Sequence, residues 1–275
     1  MKRSYLFVPG NRPERFAKAF ASGASAVILD LEDAVPPEGK PAARESICEW
    51  LRQHDGNAWV RVNATDTEFF EDDMRAVAAV PHGGVMLPKA ESAEEVRHVA
   101  RLLGAPTTPV IPLIESAVGL WSALGIAQSP QVERLAFGSV DFQLDTGIQD
   151  DDAALLFARS QLVIISRIAR IVSPIDGVTT QIDDGARLKR DVARARALGF
   201  GAKLCIHPNQ IAAVEHGFAP SDEEVRWARA VVSAFERAAG GAVRLDGKLI
   251  DLPVVERARR LLAEPAASRE TAGLA

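Results

Sequence analysis

The strongest constraint on this chain is an alternation that repeats along its length. Short apolar runs recur at intervals of roughly 20 to 35 residues, with helical patterns between them. They are Tyr5-Leu6-Phe7-Val8, Ala26-Val27-Ile28-Leu29-Asp30, Ala58-Trp59-Val60-Arg61-Val62-Asn63, Gly84-Val85-Met86-Leu87-Pro88-Lys89, Val110-Ile111-Pro112-Leu113-Ile114, Leu135-Ala136-Phe137, the weaker Asp176-Gly177-Val178, and Ala202-Lys203-Leu204-Cys205-Ile206. Runs of this kind read as parallel strands covered on both faces. Eight of them separated by helices predict a (β/α)₈ TIM barrel. An open doubly wound sheet is the competing arrangement. Against it, no GxGxxG follows the first run, and acids lie at the ends of at least three runs rather than at one switch point.

Helical patterns are expected over 15–21, 42–53, 69–80, 116–123, 150–171 and 184–198, with Ser92 and Glu95 spaced as a capping box for another. Ser221 and Glu224 repeat that spacing for a helix over 221–239. A hairpin over 243–252, turning at Asp246-Gly247, and a last helix opened by Pro253 follow it. The expected organisation is a catalytic barrel over 1–218, a helix–hairpin–helix extension over 219–264 and a disordered tail over 265–275. An extension placed after a closed barrel either lids its own barrel or reaches a neighbour.

Composition narrows the function classes. With 275 residues, 47% hydrophobic and 25% charged, the chain has the make-up of a soluble globular protein. Its net charge of −5 argues against broad nucleic-acid or anionic-membrane binding. Met1-Lys2-Arg3 leads straight into the first run, and Arg159, Arg167 and Arg170 interrupt the most apolar helix, so neither a signal peptide nor a membrane span is expected. Cys48 and Cys205 make no disulfide framework or zinc pattern. These features predict a cytoplasmic protein.

In such barrels the chemistry collects at the C-terminal ends of the strands. Glu115 closes the fifth run, Asp141 follows the sixth, and Glu32 and Asp33 follow the second. Carboxylates brought together repel unless a cation or a shared proton intervenes, and Mg²⁺ is commonly held by one or two of them. Read alone, Glu115 is equally a helix N-terminal carboxylate and Asp141 a loop residue. Arg61 lies inside an apolar run and requires a partner, either a substrate carboxylate or the acids after the second run. Asn11 or Arg12 falls at the N-cap of the first helix, whose N-terminus, with Arg12 and Lys18, offers an anion site or plain solvated charge. His207, at the end of the eighth run, reads first as a hydrogen-bonded structural group. Lys89 and Lys203 at strand ends leave a Schiff-base aldolase as a minor alternative.

Taken together, these motifs resemble the HpcH/HpaI aldolase and citrate lyase β-subunit superfamily, in its CitE-like, malyl-CoA and citramalyl-CoA lyase-like branch. The resemblance runs over about 4–262. It rests on Leu6-Phe7-Val8-Pro9-Gly10-Asn11-Arg12-Pro13, Asp30-Leu31-Glu32-Asp33-Ala34-Val35, Arg61-Val62-Asn63, Leu87-Pro88-Lys89, Ile114-Glu115-Ser116, Phe137-Gly138-Ser139-Val140-Asp141-Phe142, Ile206-His207-Pro208 and Leu249-Ile250-Asp251.

The resemblance implies an Mg²⁺-dependent lyase that cleaves a β-hydroxyacyl-CoA thioester. Glu115 and Asp141 would ligate the metal, with Glu32 and Asp33 reaching its waters. Arg61 would hold the keto-acid carboxylate. Phe7, Arg12, Lys18, Val140, Ile206 and His207 would contact the CoA thioester. Asp251 would come from a neighbouring subunit, in a homotrimer or hexamer, to act as acid or base. Citramalyl-, malyl- and citryl-CoA are the candidate substrates, and the short chain tilts the choice towards the first or a citryl thioester. The alternatives are a malyl-CoA thioesterase and a citrate lyase β subunit acting on citryl groups of an acyl carrier protein.

Overall fold

The computed structural model describes residues 2–54, 58–150, 152–238 and 241–263, and in it the eight runs close into a barrel. β1 (Ser4–Pro9), β2 (Ala26–Asp30), β3 (Trp59–Arg61), β4 (Gly84–Leu87), β5 (Val110–Ile114), β6 (Ala136–Phe137), β7 (Ile175–Asp176) and β8 (Ala202–Cys205) pair in chain order. All pairings are parallel, and β8 returns to β1.

Strand residues alternate between faces, so every second side chain points into the barrel. Tyr5, Ala26, Ile28, Trp59, Met86, Ile111, Leu113, Ala136, Ile175, Ala202 and Leu204 fill it. Trp59 sits in register with Ile28 and with Gly84. Gly84 has φ 151° and leaves the space that this indole occupies, since a Cβ there would overlap the ring. Two residues further along, the same inward series reaches Asp30 and Arg61, which are also in register. The barrel therefore changes from apolar to charged at its C-terminal mouth.

The outer layer consists of α1 (Phe16–Phe20), α2 (Lys40–Gln53), α3 (Phe70–Ala78), α4 (Ala93–Leu103), α5 (Ala117–Ala127), α6 (Ser139–Thr146), α7 (Leu156–Ile168) and α8 (Gly185–Leu198). Ser92 and Glu95 form the expected capping box. Lys203 belongs to the outward series of β8. Its ammonium lies 3.4 Å from Asp176, which also receives Arg159 of α7 at 2.9 Å, and all three are buried. A lysine committed to that ion cluster does not serve as a Schiff-base nucleophile at the mouth.

Four expectations are corrected. The seventh strand lies one residue earlier, at Ile175–Asp176. The helix expected over 150–171 begins at Leu156. The additional helix α6 precedes it and carries Asp141 in its first turn, so Asp141 is a helix residue rather than a loop or strand end. The first helix opens as a 3-10 turn over Pro13–Arg15, with Arg12 rather than Asn11 before it and no side-chain cap.

Lys2–Val214 form one compact unit and the described residues from Glu215 onward another. α9 (Ile211–Phe218), which the sequence patterns did not announce, runs across this division. In the second unit α10 (Asp222–Arg237), the hairpin β9 (Val243–Leu245) and β10 (Lys248–Ile250), and α11 (Leu252–Ala263) pack around Ala228, Val231, Ile250, Val255 and Ala258. The helix–hairpin–helix is thus present. The expected tail over 265–275, the end of the 221–239 helix and Asp151 lie outside the described residues. Among the described residues no helix is long and apolar enough to cross a membrane.

Candidate active site

At the mouth, β2 and β3 bring Asp30 and Arg61 together. Arg61 donates from Nε to Asp30 Oδ1 and from Nη2 to Asp30 Oδ2, both at 2.7 Å, a bidentate pair buried on both sides. Its Nη1 lies 2.8 Å from Glu32 Oε2 and 3.7 Å from Asp33, and its guanidinium stacks over the Phe7 ring at 4.7 Å. Burial alone would lower the Arg61 pKa, but Asp30, Glu32 and Asp33 outweigh it and hold the group charged. Of the two partners left open by the sequence, the acids after β2 are in place. Asp30 was read only as part of the second run, because the resemblance supplied roles for Glu32 and Asp33 and none for Asp30.

Glu115 follows β5 and is 4% exposed. Its Oε1 accepts the Lys89 N–H at 2.6 Å, and Gly138 passes so close that a Cβ there would overlap the carboxylate. Burial, then Glu32, then Asp141 push the Glu115 pKa from 4.5 up to about 8. Asp141 is raised by burial and by Asp33, and Glu32 is raised chiefly by burial. Lys89 faces Glu32 Oε1 at 3.2 Å. Thus β2, β4, β5 and the β6–α6 turn deliver Glu32, Lys89, Glu115 and Asp141 to one place.

This donor set fits a hard divalent cation. Glu115, raised by burial and by the nearby Glu32 and Asp141, sits where positive charge would be stabilising. Among the described residues no group of three His, Cys, Asp or Glu converges as a metal cage. A two-carboxylate site completed by waters and substrate oxygens is the arrangement Mg²⁺ accepts.

A buried network behind the acids fixes their loop. Lys40 Nζ donates to the carbonyls of Leu31 and Glu32 at 2.8 and 3.0 Å and to Asn63 Oδ1 at 2.6 Å. Asn63 in turn donates to Leu31 O and to Asp73. The sequence reading missed Lys40 and Asp73 as supports. A lysine at a helix start and an acid inside α3 look like surface charge until their burial is known.

The remaining candidates are more scattered. Arg12 is exposed and bonded to Glu14 at 2.6 Å, and Lys18 is exposed on α1, a helix of five residues. Val140 and Ile206 are partly exposed, at 47% and 41%. His207 Nδ1 accepts the Asn209 N–H at 3.2 Å, the structural role read first for it. Asp251 lies in the second unit and accepts the Val254 N–H at 3.3 Å, capping α11.

With this geometry in hand, comparison with known proteins is informative. A family model described as HpcH/HpaI aldolase/citrate lyase matches residues 3–208. The chain is 37% identical to the citrate lyase subunit beta-like protein of Deinococcus radiodurans, over 96% of this chain and 97% of that one. It is 32% identical to the mitochondrial citramalyl-CoA lyase of Homo sapiens, over 94% and 84%. The crystal structure of CitE from Mycobacterium tuberculosis, in complex with magnesium, acetoacetate and coenzyme A, superposes with a TM-score of 0.84 at 34% identity, covering 95% and 97%.

Proposed function

The chain belongs to the HpcH/HpaI aldolase/citrate lyase family and is a carbon–carbon lyase, and from that premise we propose that it cleaves a β-hydroxyacyl-CoA thioester. The products would be an acyl-CoA and a keto acid, with citramalyl-, citryl- or malyl-CoA as the substrate. The observation that carries this reading is the cluster of Glu32, Glu115 and Asp141, whose pKa values are all raised, around the buried Arg61.

In this reading Glu115 and Asp141 would hold Mg²⁺, with Glu32 and Asp33 as outer carboxylates beside it. When bound, Mg²⁺ supplies Lewis acidity towards the hydroxyl and carboxylate oxygens of the acid half. With Nε and Nη2 held by Asp30, Arg61 would meet the substrate carboxylate at its Nη1 edge, where the carboxylate would have to share Nη1 with Glu32 or displace it from 2.8 Å. Phe7, Arg12, Lys18, Val140, Ile206 and His207 would contact the CoA thioester. Asp251 of a neighbouring copy would take the β-hydroxyl proton as the carbon–carbon bond breaks and return it to the enolate carbon, in a setting shielded from bulk water.

A homotrimer or hexamer accompanies this reading. Its support is an apolar outer face on α5, α6 and α7, where Trp121 is 85%, Leu144 83% and Phe157 70% exposed beside Val118, Ile164 and Ile168. The acid held on an acyl carrier protein is the alternative form of the substrate.

Incubation of the purified chain and Mg²⁺ with the three thioesters tests the proposal. Release of acyl-CoA and keto acid in equal amounts from one of them is expected. Free CoA without keto acid would instead make the protein a hydrolase and overturn it.

A further inference from the structure

Lys89 engages two acids of the mouth by different means, one through its backbone and one through its side chain. It follows β4 and Pro88 with φ 49°, a left-handed conformation uncommon for a lysine. That conformation coincides with a 2.6 Å hydrogen bond from its N–H to Glu115 Oε1, while the next N–H, of Ala90, is tied to Leu113 O of β5 at 3.2 Å. The side chain runs the other way, to Glu32 Oε1 at 3.2 Å. It is 52% exposed, whereas the Glu32 side chain is 6% exposed. Arg61 closes the far side of Glu32 and is itself fixed by Asp30. Of the two cations on Glu32, then, one is locked and one has room to move.

We propose that Lys89 is a positioning residue with two separable parts. Its left-handed backbone aims an N–H that orients Glu115, and its ammonium is a movable counter-cation with which a divalent metal competes for the acid cluster. The inference rests on the metal site described above. The two parts act on metal affinity with opposite sign. Removing the ammonium alone takes a repelling charge away from an incoming cation and tightens binding. Disturbing the backbone misplaces Glu115 and weakens it, and a β-branched side chain adds this to the loss of the ammonium because it tolerates positive φ poorly.

The test is calorimetric titration of the intact protein with Mg²⁺ alone, with no thioester present, beside melting curves that verify folding. Lys89→Met and Lys89→Gly are expected to lower the Mg²⁺ Kd about fivefold, a change of the size one partly solvated charge produces. Lys89→Arg keeps the wild-type affinity, and Lys89→Val, which lacks the ammonium as Lys89→Met does, has a higher Kd than Lys89→Met. If Lys89→Val fails to fold, Met, Gly and Arg still decide the role of the ammonium. An unchanged or weaker affinity in folded Lys89→Met and Lys89→Gly overturns the inference. Glu115→Gln run in parallel separates the two levels. If it leaves Mg²⁺ binding intact, the metal assignment itself fails; if it abolishes binding while Lys89→Met is silent, only the present inference fails.

Discussion

Glu115 shows how much a single residue here depends on its neighbours' charges. Its folded pKa of about 8 lies above its ordinary 4.5, so between those values the folded protein keeps a proton that the unfolded chain releases. Stability from this source is full below pH 4.5 and is lost as pH rises through about 8. Glu32 and Asp141, also raised, act in the same direction. In a chelator, the melting temperature should therefore fall from pH 5 to pH 8. Glu115→Gln should flatten that fall, and Mg²⁺ added at pH 8 should reverse it for the wild type only. A melting temperature independent of pH and of Mg²⁺ would contradict this account. Arg61 makes a second residue-scale case. Arg61→Ala leaves Asp30 buried without its bidentate partner and Glu32 with Lys89 alone, and should cost roughly 3–5 kcal/mol in denaturant unfolding. Arg61→Lys should recover part of that stability but little activity, since an ammonium does not reproduce the fork that grips Asp30. Loss of activity at full stability in both variants would mean that Arg61 is a substrate clamp and nothing more.

At the scale of elements, the β6–α6 turn is the sharpest joint in the site. Gly138 lets the backbone pass against Glu115 and starts the helix whose first turn presents Asp141. Gly138→Ala should lower activity at least tenfold, with a stability loss of about 1–3 kcal/mol from overpacking, because the added methyl displaces one carboxylate and shifts the turn that carries the other. Near-normal turnover would show that this turn has slack.

The same joint marks the limit of what the sequence made legible. The strand runs were readable because a strand covered on both faces must be apolar throughout, and Glu115 stood out by closing one of them. α6 was not readable. Its segment, Ser139–Thr146, shows no clear apolar stripe, and its helical start depends on how Gly138 meets Glu115, a tertiary contact. Lys203 misled for the converse reason. Its position at a strand end was visible, but the face it takes depends on register, and register placed it with Asp176 and Arg159 on the outside. The supports Lys40, Asn63 and Asp73 are joined across 23 and ten residues of chain by contacts that no local pattern encodes.

For the whole molecule, the account joins three things: a barrel with an acid-lined mouth, an apolar outer face, and a C-terminal unit bearing Asp251. If the face on α5–α7 is where copies meet, Trp121→Glu with Phe157→Glu should yield a folded monomer by light scattering, and activity should fall with it. If Asp251 works in a neighbour's barrel, mixing inactive Asp251→Ala with inactive Glu115→Gln subunits should restore partial activity once they have exchanged. No rescue after verified exchange would place Asp251 in its own barrel or outside the chemistry. The central claim, that Glu115 and Asp141 hold Mg²⁺ for carbon–carbon cleavage, is tested most directly by one measurement. Keto acid formed per active site is quantified for wild type, Glu115→Gln and Asp141→Asn over a Mg²⁺ titration, using the thioester the wild type accepts. The account predicts Mg²⁺-dependent keto acid from the wild type and a loss of at least a hundredfold in each folded variant, as expected when a metal ligand is removed. Keto acid formed at wild-type rates by either variant, or by the wild type in excess chelator, would contradict it.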